Sequence, residues 1–515
     1  MGVSHIPTFH DDDGLPGHTF GDGGRQLMSA PVIDYADVQG TILRGYRVNL
    51  ARHFILSITD TAKAGQFIAG LVDGTGGLPR ITTAARWTGK PDSMLNLAFT
   101  AAGLTKLGVT AAQLATFDAS FTGGATNAAT AALIGDSGDS APQNWIGGLA
   151  NGAAVHAILS VWVTQDPAEL ERVTATLRAA FAGCITELSS FDANALPDNH
   201  IHFNYRDNIA QPNVAGAPNR KRETPDDQDP PVATGEFLLG YANESNDVYS
   251  VQPEELSKNS SYAAFRILEQ DVAGFEAFLA KYAPQAGMDA EMLAAKVCGR
   301  WRNGNPTELQ PDSPGTSLLP DSQVNNFTYV GSTMETDDTL GIKCPIGSHI
   351  RRNNPRNEAV TGGSNSRSHR IVRRAMPYGP PYDPSAPPEP APPPRGLIGY
   401  FINASIFNQF EFLSSQWNQV ATFVASAFDP NGAADGDAVY NISGGDIFLG
   451  VNDPTLEVEE PGASSFTIAA IGGERGSNNK TIAGYSRMVT TRGGAYVFFP
   501  SITGLRYLAA LPGDT

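Results

Sequence analysis

Residues 344–356 read CPIGSHIRRNNPR, and residues 369–379 read HRIVRRAMPYG. A histidine among glycine, serine and arginines can give an imidazole nitrogen to an iron, while the cations hold the carboxylates of a haem. The chain is acidic overall, with a net charge of −18, yet it gathers Arg351, Arg352, Arg356, Arg367, Arg370, Arg373 and Arg374 here. That concentration implies an anionic occupant. The competing reading is a basic loop docked on the chain's own acidic surface, since clustered arginine recognises carboxylates and phosphates alike.

Both runs resemble the haem-binding segments of the dye-decolourising peroxidases. Further segments resemble the family in the same order along the chain: DVQGTILRGY (37–46), YRDNIAQP (205–212), GEFLLGYANE (235–244), GRWRNGNP (299–306), NASIFNQFEF (403–412) and TTRGGAYVFFPSI (490–502). The resemblance implies an enzyme that binds haem b (iron protoporphyrin IX), reduces hydrogen peroxide, and oxidises aromatic dyes or phenolic compounds through ferryl intermediates. It implies His349 as the iron ligand, with His369 and then His202 as the other candidates. Asp207 is implied as the distal base and Arg373 as the distal cation, although Arg370 and Arg374 lie close enough for a slip of register to exchange them. Arg351, Arg352 and Arg302 are expected at the haem propionates, and Leu397 in the distal pocket.

The chain departs from the family pattern in two places. Asn204 and Asn208 stand where the motif around the aspartate has glycines, and asparagine tolerates left-handed backbone better than other non-glycine residues. Gly399 stands where a phenylalanine is expected, which predicts a more open pocket. These departures keep alive a second class of function, a non-catalytic haem carrier or sensor, for which Cys344 followed by Pro345 would supply a thiolate. Release of iron from haem is a third, weaker reading. Tyr378 and Tyr382 could carry electrons to bulky substrates, whereas the tryptophans read mainly as core. An aspartate base has an ordinary pKa of about 3.9, which predicts dye oxidation fastest between roughly pH 3 and 5.

Composition narrows the class. At 515 residues with 41% hydrophobic side chains, the chain suits two domains of about 200 residues each plus loops. The acidic balance argues against nucleic acid or an anionic membrane as partner. Cys184, Cys298 and Cys344 form neither a disulfide framework nor a CxxC metal site, so a reducing, cytoplasmic setting is expected. The first residues carry neither a basic start nor an apolar run and read as an arm, with Gly2 only a chance match to a myristoylation pattern. The resemblance allows a homodimer.

The elements that must position these residues follow from periodicity. Strands are expected at 51–59, 95–100, 154–163 and 200–205, with helices at 61–72 and from Asp166 through Phe181, where Asp166 caps and Pro167 takes the first turn. The order recurs as strand 261–269, helix 270–283, strand 396–404, helix 407–428 and strand 494–500. The expectation is an α+β chain of two ferredoxin-like domains, each an antiparallel sheet packed with helices, with haem in the C-terminal half. The bounds are 1–33 for the arm, 34–210 for the domain carrying the distal aspartate, 211–234 for a solvated loop and 235–515 for the haem domain. A proline-rich loop spans 377–395.

Overall fold

The computed structural model describes residues 31–218, 228–333, 336–358, 365–384, 392–420, 443–455, 463–469 and 479–511. Most of the expected arm, the middle of the 211–234 loop, part of the proline-rich loop and the end of the 407–428 helix lie outside those residues.

The first half of the sheet comprises β1 (Leu50–Ile58), β2 (Ser93–Phe99), β3 (Ala157–Val163) and β4 (Ile185–Asn194). The second comprises β5 (Ser261–Gln270), β6 (Val372–Tyr378), β7 (Gly396–Asn403) and, after a separate hairpin of β8 (Ser465–Ile468) and β9 (Lys480–Ala483), β10 (Val489–Phe499). All eight main strands form one antiparallel sheet in the order β4-β1-β3-β2-β10-β5-β7-β6. Numbered within its half, each group runs fourth-first-third-second, which is the ferredoxin-like order. The halves join through the single pairing Phe498↔Phe99, and the outer strands β4 and β6 approach each other to curl the sheet toward a barrel.

Helices α1 (Thr61–Asp73) and α2 (Pro167–Phe181) pack on the first half, α3 (Val272–Ala286) and α4 (Ala290–Cys298) on the second. Their starts obey the capping rule, because Asp60, Asp166, Asp271 and Asp289 each accept a backbone N–H in the first turn. One core runs through both halves and fills the inside of the curled sheet. A second, including Phe203, Phe275, Phe278 and Phe448, lies under α3 and α4.

Three expectations need correction. The fourth strand is 185–194 rather than 200–205, and HIHFNY instead follows turns in which Asn204 has φ 64°. ITELSSFDAN is mostly half-exposed, so its apolar alternation is faint. β6 was not anticipated because its arginines and proline disguise it; Pro377 is tolerated there because β6 is an end strand of the sheet. The expected long helix from 407 is wound instead as π-helical turns at Ile406–Glu411 and Leu413–Trp417.

Candidate functional site

His349 opens a short helix, α5 (His349–Asn353), and its side chain is a quarter exposed. Its Nδ1 lies 2.9 Å from Oδ2 of the fully buried Asp446. The Asp446 Oδ1 accepts the backbone N–H groups of Phe448 and Leu449 at 2.9 and 2.8 Å, which fixes the carboxylate. Burial pushes the Asp446 carboxyl up, but His349, Arg352 and the backbone amide of Leu449 outweigh it and hold the group below the ordinary carboxylate range. A carboxylate on Nδ1 selects the tautomer that leaves the Nε2 lone pair outward, and it strengthens that nitrogen as a donor to a metal. The Phe448 ring stands edge-on to the imidazole at 5.4 Å and limits its rotation.

Asn353 and Asn418, joined by a 3.2 Å hydrogen bond, continue from His349 into a cleft. Its opposite wall is the outer face of β5, β7 and β10, represented by Leu268, Phe401, Val489 and Thr491. Leu397 lies two pairs along β7 from Gly399, directly across from Leu268. Gly399 does not open the pocket as expected. At φ 154° its Cβ position would fall 2.1 Å from the Arg374 carbonyl oxygen, so the glycine lets β7 close onto β6 and leaves no ring-sized gap in that direction.

Arg373 pairs in register with Phe401 on the same wall. Its backbone N–H donates to Gln211 Oε1 at 3.0 Å and its carbonyl accepts from Gln211 Nε2 at 3.1 Å, while its guanidinium donates to the Ala210 carbonyl. These bonds tie the 207–211 loop to β6 and bring Asp207 beside Arg373. The Arg373 side chain is reached by solvent yet crowded by protein; burial lowers its pKa and the Asp207 charge opposes that. The two neighbouring arginines are committed elsewhere. Arg370 pairs with Asp229 at 3.2 Å, and Arg374 donates to the carbonyls of Thr41 and Ile42. Asn204 and Asn208 both adopt left-handed backbone, with φ 64° and 61°, so the turns around Asp207 survive without glycine.

The remaining candidates fall away from the cleft. Arg351 is fully buried in ion pairs with Asp338 and Glu358; burial works against its charge, and the two acids more than compensate. Arg352, equally buried, donates to the carbonyls of Gly347, Trp417, Val420 and Gly444, and burial pulls its guanidinium down to about 10. Both arginines build the wall that carries His349 and are not set to hold propionates. Arg302 is engaged by Glu276 at 2.8 Å and Glu291 at 3.5 Å. His369 stacks on Phe412 with ring centroids 3.8 Å apart and bonds the Asn408 carbonyl, and His202 bonds the carbonyl of Tyr378. Cys344 is fully buried with Phe327 and Tyr329, does not line the cleft, and has its thiol pKa raised by that burial.

Sequence reasoning missed Asp446. Its local signal, GGDIFL, is an aspartate ahead of apolar residues, but nothing near it announces a partner ninety-seven positions earlier.

Fold and site together define an α+β barrel with an aspartate-held imidazole one helical turn from the cleft-lining Asn353 and an aspartate–arginine pair beside β6. Residues 37–197 match the family model described as the DyP dimeric alpha+beta barrel domain. Peroxidase 2 of Mycetinis scorodonius is 29% identical over 491 residues, covering 92% of this chain and 87% of the relative. The multifunctional dye peroxidase DyP2 of an Amycolatopsis species is also 29% identical, covering 92% and 95%. A dye-decolorizing peroxidase solved in complex with 2,6-dimethoxyphenol superposes with a TM-score of 0.72 at 26% identity, covering 93% of this chain and all of that one. Over more than nine-tenths of its length the chain is similar to dye-decolorizing peroxidases in both sequence and fold.

Proposed function

We propose that this protein is a haem peroxidase that reduces hydrogen peroxide and oxidises dyes and phenolic compounds. The observation that carries the reading is the His349–Asp446 pair: an imidazole with one nitrogen fixed by a buried carboxylate and the other left for a metal, at the edge of a cleft. The donor set fits a haem iron, for which a single neutral imidazole is a common protein ligand. His349 would hold the iron, with Asp446 orienting it. When bound, the haem supplies the two oxidising equivalents that peroxide delivers and substrates withdraw. Asp207 accepts the first proton of hydrogen peroxide and returns it to the departing oxygen, and Arg373 offsets the negative charge that develops there. Leu397 and Phe401 supply an apolar boundary that limits water beside the reacting oxygens. The named relatives, several called dye-decolorizing peroxidases and one solved with a dimethoxyphenol, support phenols and dyes as reductants.

Among the described residues no helix is long and apolar enough to cross a membrane. The three cysteines are buried and unbridged, which supports a reducing compartment such as the cytoplasm.

The test is reconstitution with haem. Wild type should give a histidine-ligated spectrum and oxidise dye with peroxide, His349→Ala should lose stable haem or change its ligand spectrum, and His369→Ala should keep both. Equal haem content and unchanged spectra in the His349 variant would remove the assignment.

A further inference from the structure

The inside of the barrel, on the face of the sheet away from the cleft, contains a buried hydrogen-bonded chain that the proposed peroxidase chemistry leaves unused. The Tyr400 hydroxyl lies 2.6 Å from Ser160 Oγ, and Ser160 Oγ lies 2.7 Å from His53 Nδ1. The chain crosses between the halves, with Tyr400 on β7 and the register partners His53 and Ser160 on β1 and β3. All three residues are essentially inaccessible to solvent, at 1%, 0% and 0% exposure for Tyr400, Ser160 and His53. Tyr400 also adjoins Phe401, whose ring lines the cleft, so one thickness of sheet separates the phenol from the proposed haem site.

The direction of the chain is set by the tautomer of His53. His53 Nε2 has no hydrogen-bond partner, and the ring is enclosed by Trp162, Phe265 and Tyr400 at centroid distances of 5.1, 5.5 and 5.8 Å. With the proton on Nε2, Nδ1 is the acceptor, and the order of donation is then Tyr400 to Ser160 to His53. Phenols elsewhere in the molecule end differently: Tyr46 donates to the Asn96 amide, Tyr205 to the Ala294 carbonyl and Tyr241 to the Asn259 amide. Trp162, an oxidisable ring packed on the far side of His53, has a buried N–H with no hydrogen-bond partner.

We propose that Tyr400 is a redox-active tyrosine that stores an oxidising equivalent inside the barrel. With haem bound and oxidised by peroxide, the Tyr400 phenol would give up one electron to it. The phenolic proton passes to Ser160 as Ser160 passes its hydroxyl proton to His53 Nδ1, leaving a neutral tyrosyl radical and an imidazolium. An electron from a phenolic substrate reverses the transfer, and the proton returns along the same path. Burial holds His53 down at about 3 and the Tyr400 phenol above its ordinary value, so the proton rests on Tyr400 whenever the ring is reduced. The aromatic chain continues from Trp162 to Tyr46 and the half-buried Trp87 at 6.1 and 5.9 Å, but the Arg44 guanidinium sits 4.2 Å over Trp87 and opposes a second positive charge there. The oxidising equivalent is thereby retained in the core.

This inference rests on the haem-peroxidase reading, and one experiment separates the two. Haem-reconstituted protein is freeze-quenched after one equivalent of hydrogen peroxide, and its optical and electron paramagnetic resonance spectra are recorded together. Wild type should show the optical change of an oxidised haem and a tyrosyl radical signal. Tyr400→Phe should keep the optical change and lose at least threefold of the radical. Ser160→Ala, which retains the phenol but interrupts the proton path, should lose a similar fraction, an outcome that a merely structural hydroxyl would not produce. An intact optical change with undiminished radical in either variant overturns the inference alone. No optical change in wild type overturns the peroxidase reading and this inference with it.

Discussion

The two halves of the sheet share one strand order and differ in what hangs between the strands. In the first half, β1 leads through α1 to β2 and β3 through α2 to β4, much as a small ferredoxin-like unit would. In the second half, the chain between β5 and β6 runs from 271 to 371 and carries α3, α4, α5 and His349. The chain between β7 and β10 runs from 404 to 488 and carries Asp446. The strand order supplies a rigid wall, and the long connections of one half carry the proposed iron ligand and its carboxylate partner. Residues packed in the first half answer to the barrel, whereas those in the second half's connections answer to the site.

Substitutions can sharpen that contrast. The largest effect is expected at Arg351, because removing it leaves Asp338 and Glu358 buried without their cation. Arg351→Met should cost about 3–5 kcal/mol, read as a lowered urea midpoint, with loss of the His349 wall before the sheet. Next comes Arg373→Leu, which should slow the peroxide reaction about a hundredfold or more in stopped flow. Arg370→Leu should slow it far less, since that guanidinium belongs to Asp229. A larger loss at Arg370 would reverse the assignment. Asp446→Asn keeps the shape of the pair but withdraws its charge, and should weaken metal or haem retention by about 10–100-fold in a competition assay while leaving far-ultraviolet dichroism unchanged.

At neutral pH the smallest effect belongs to the first half, where it grows only as the solution is acidified. His53 is buried neutral, with its pKa depressed to about 3 from an ordinary value of about 6.5. A depressed value means that the stability it contributes is present above the ordinary pKa and is lost as pH falls toward 3. Wild type should therefore lose up to about 1.4 kcal/mol per pH unit over that window from this group, and His53→Gln should flatten the loss in denaturant titrations at stepped pH.

Much of this architecture was legible in the amino-acid order. β1, β2, β3, β5 and β7 announce themselves through apolar runs, and the capping aspartates mark where the helices begin. β4 and β6 were not legible, because one is largely half-exposed and the other hides behind arginines and a proline. For the site, motif context nominates His349, Asp207 and Arg373, and the last two lie beside each other across the 207–211 loop. Context failed for Arg351, Arg352 and Arg302, since a clustered cation looks the same whether it awaits a ligand or is already satisfied by Asp338, by backbone carbonyls or by Glu276. Those partners lie far along the chain, and local spacing carries no trace of them.

Arg352 has a consequence for the order of assembly. Its guanidinium gathers carbonyls from residues 347, 417, 420 and 444, so the wall bearing His349 cannot close until segments nearly a hundred positions apart have met. Closing such long loops costs entropy that is repaid only when the last contact forms. The barrel can therefore be complete while this wall is still open, and a chain paused at that stage has its sheet in place and the entrance to the cleft at its widest.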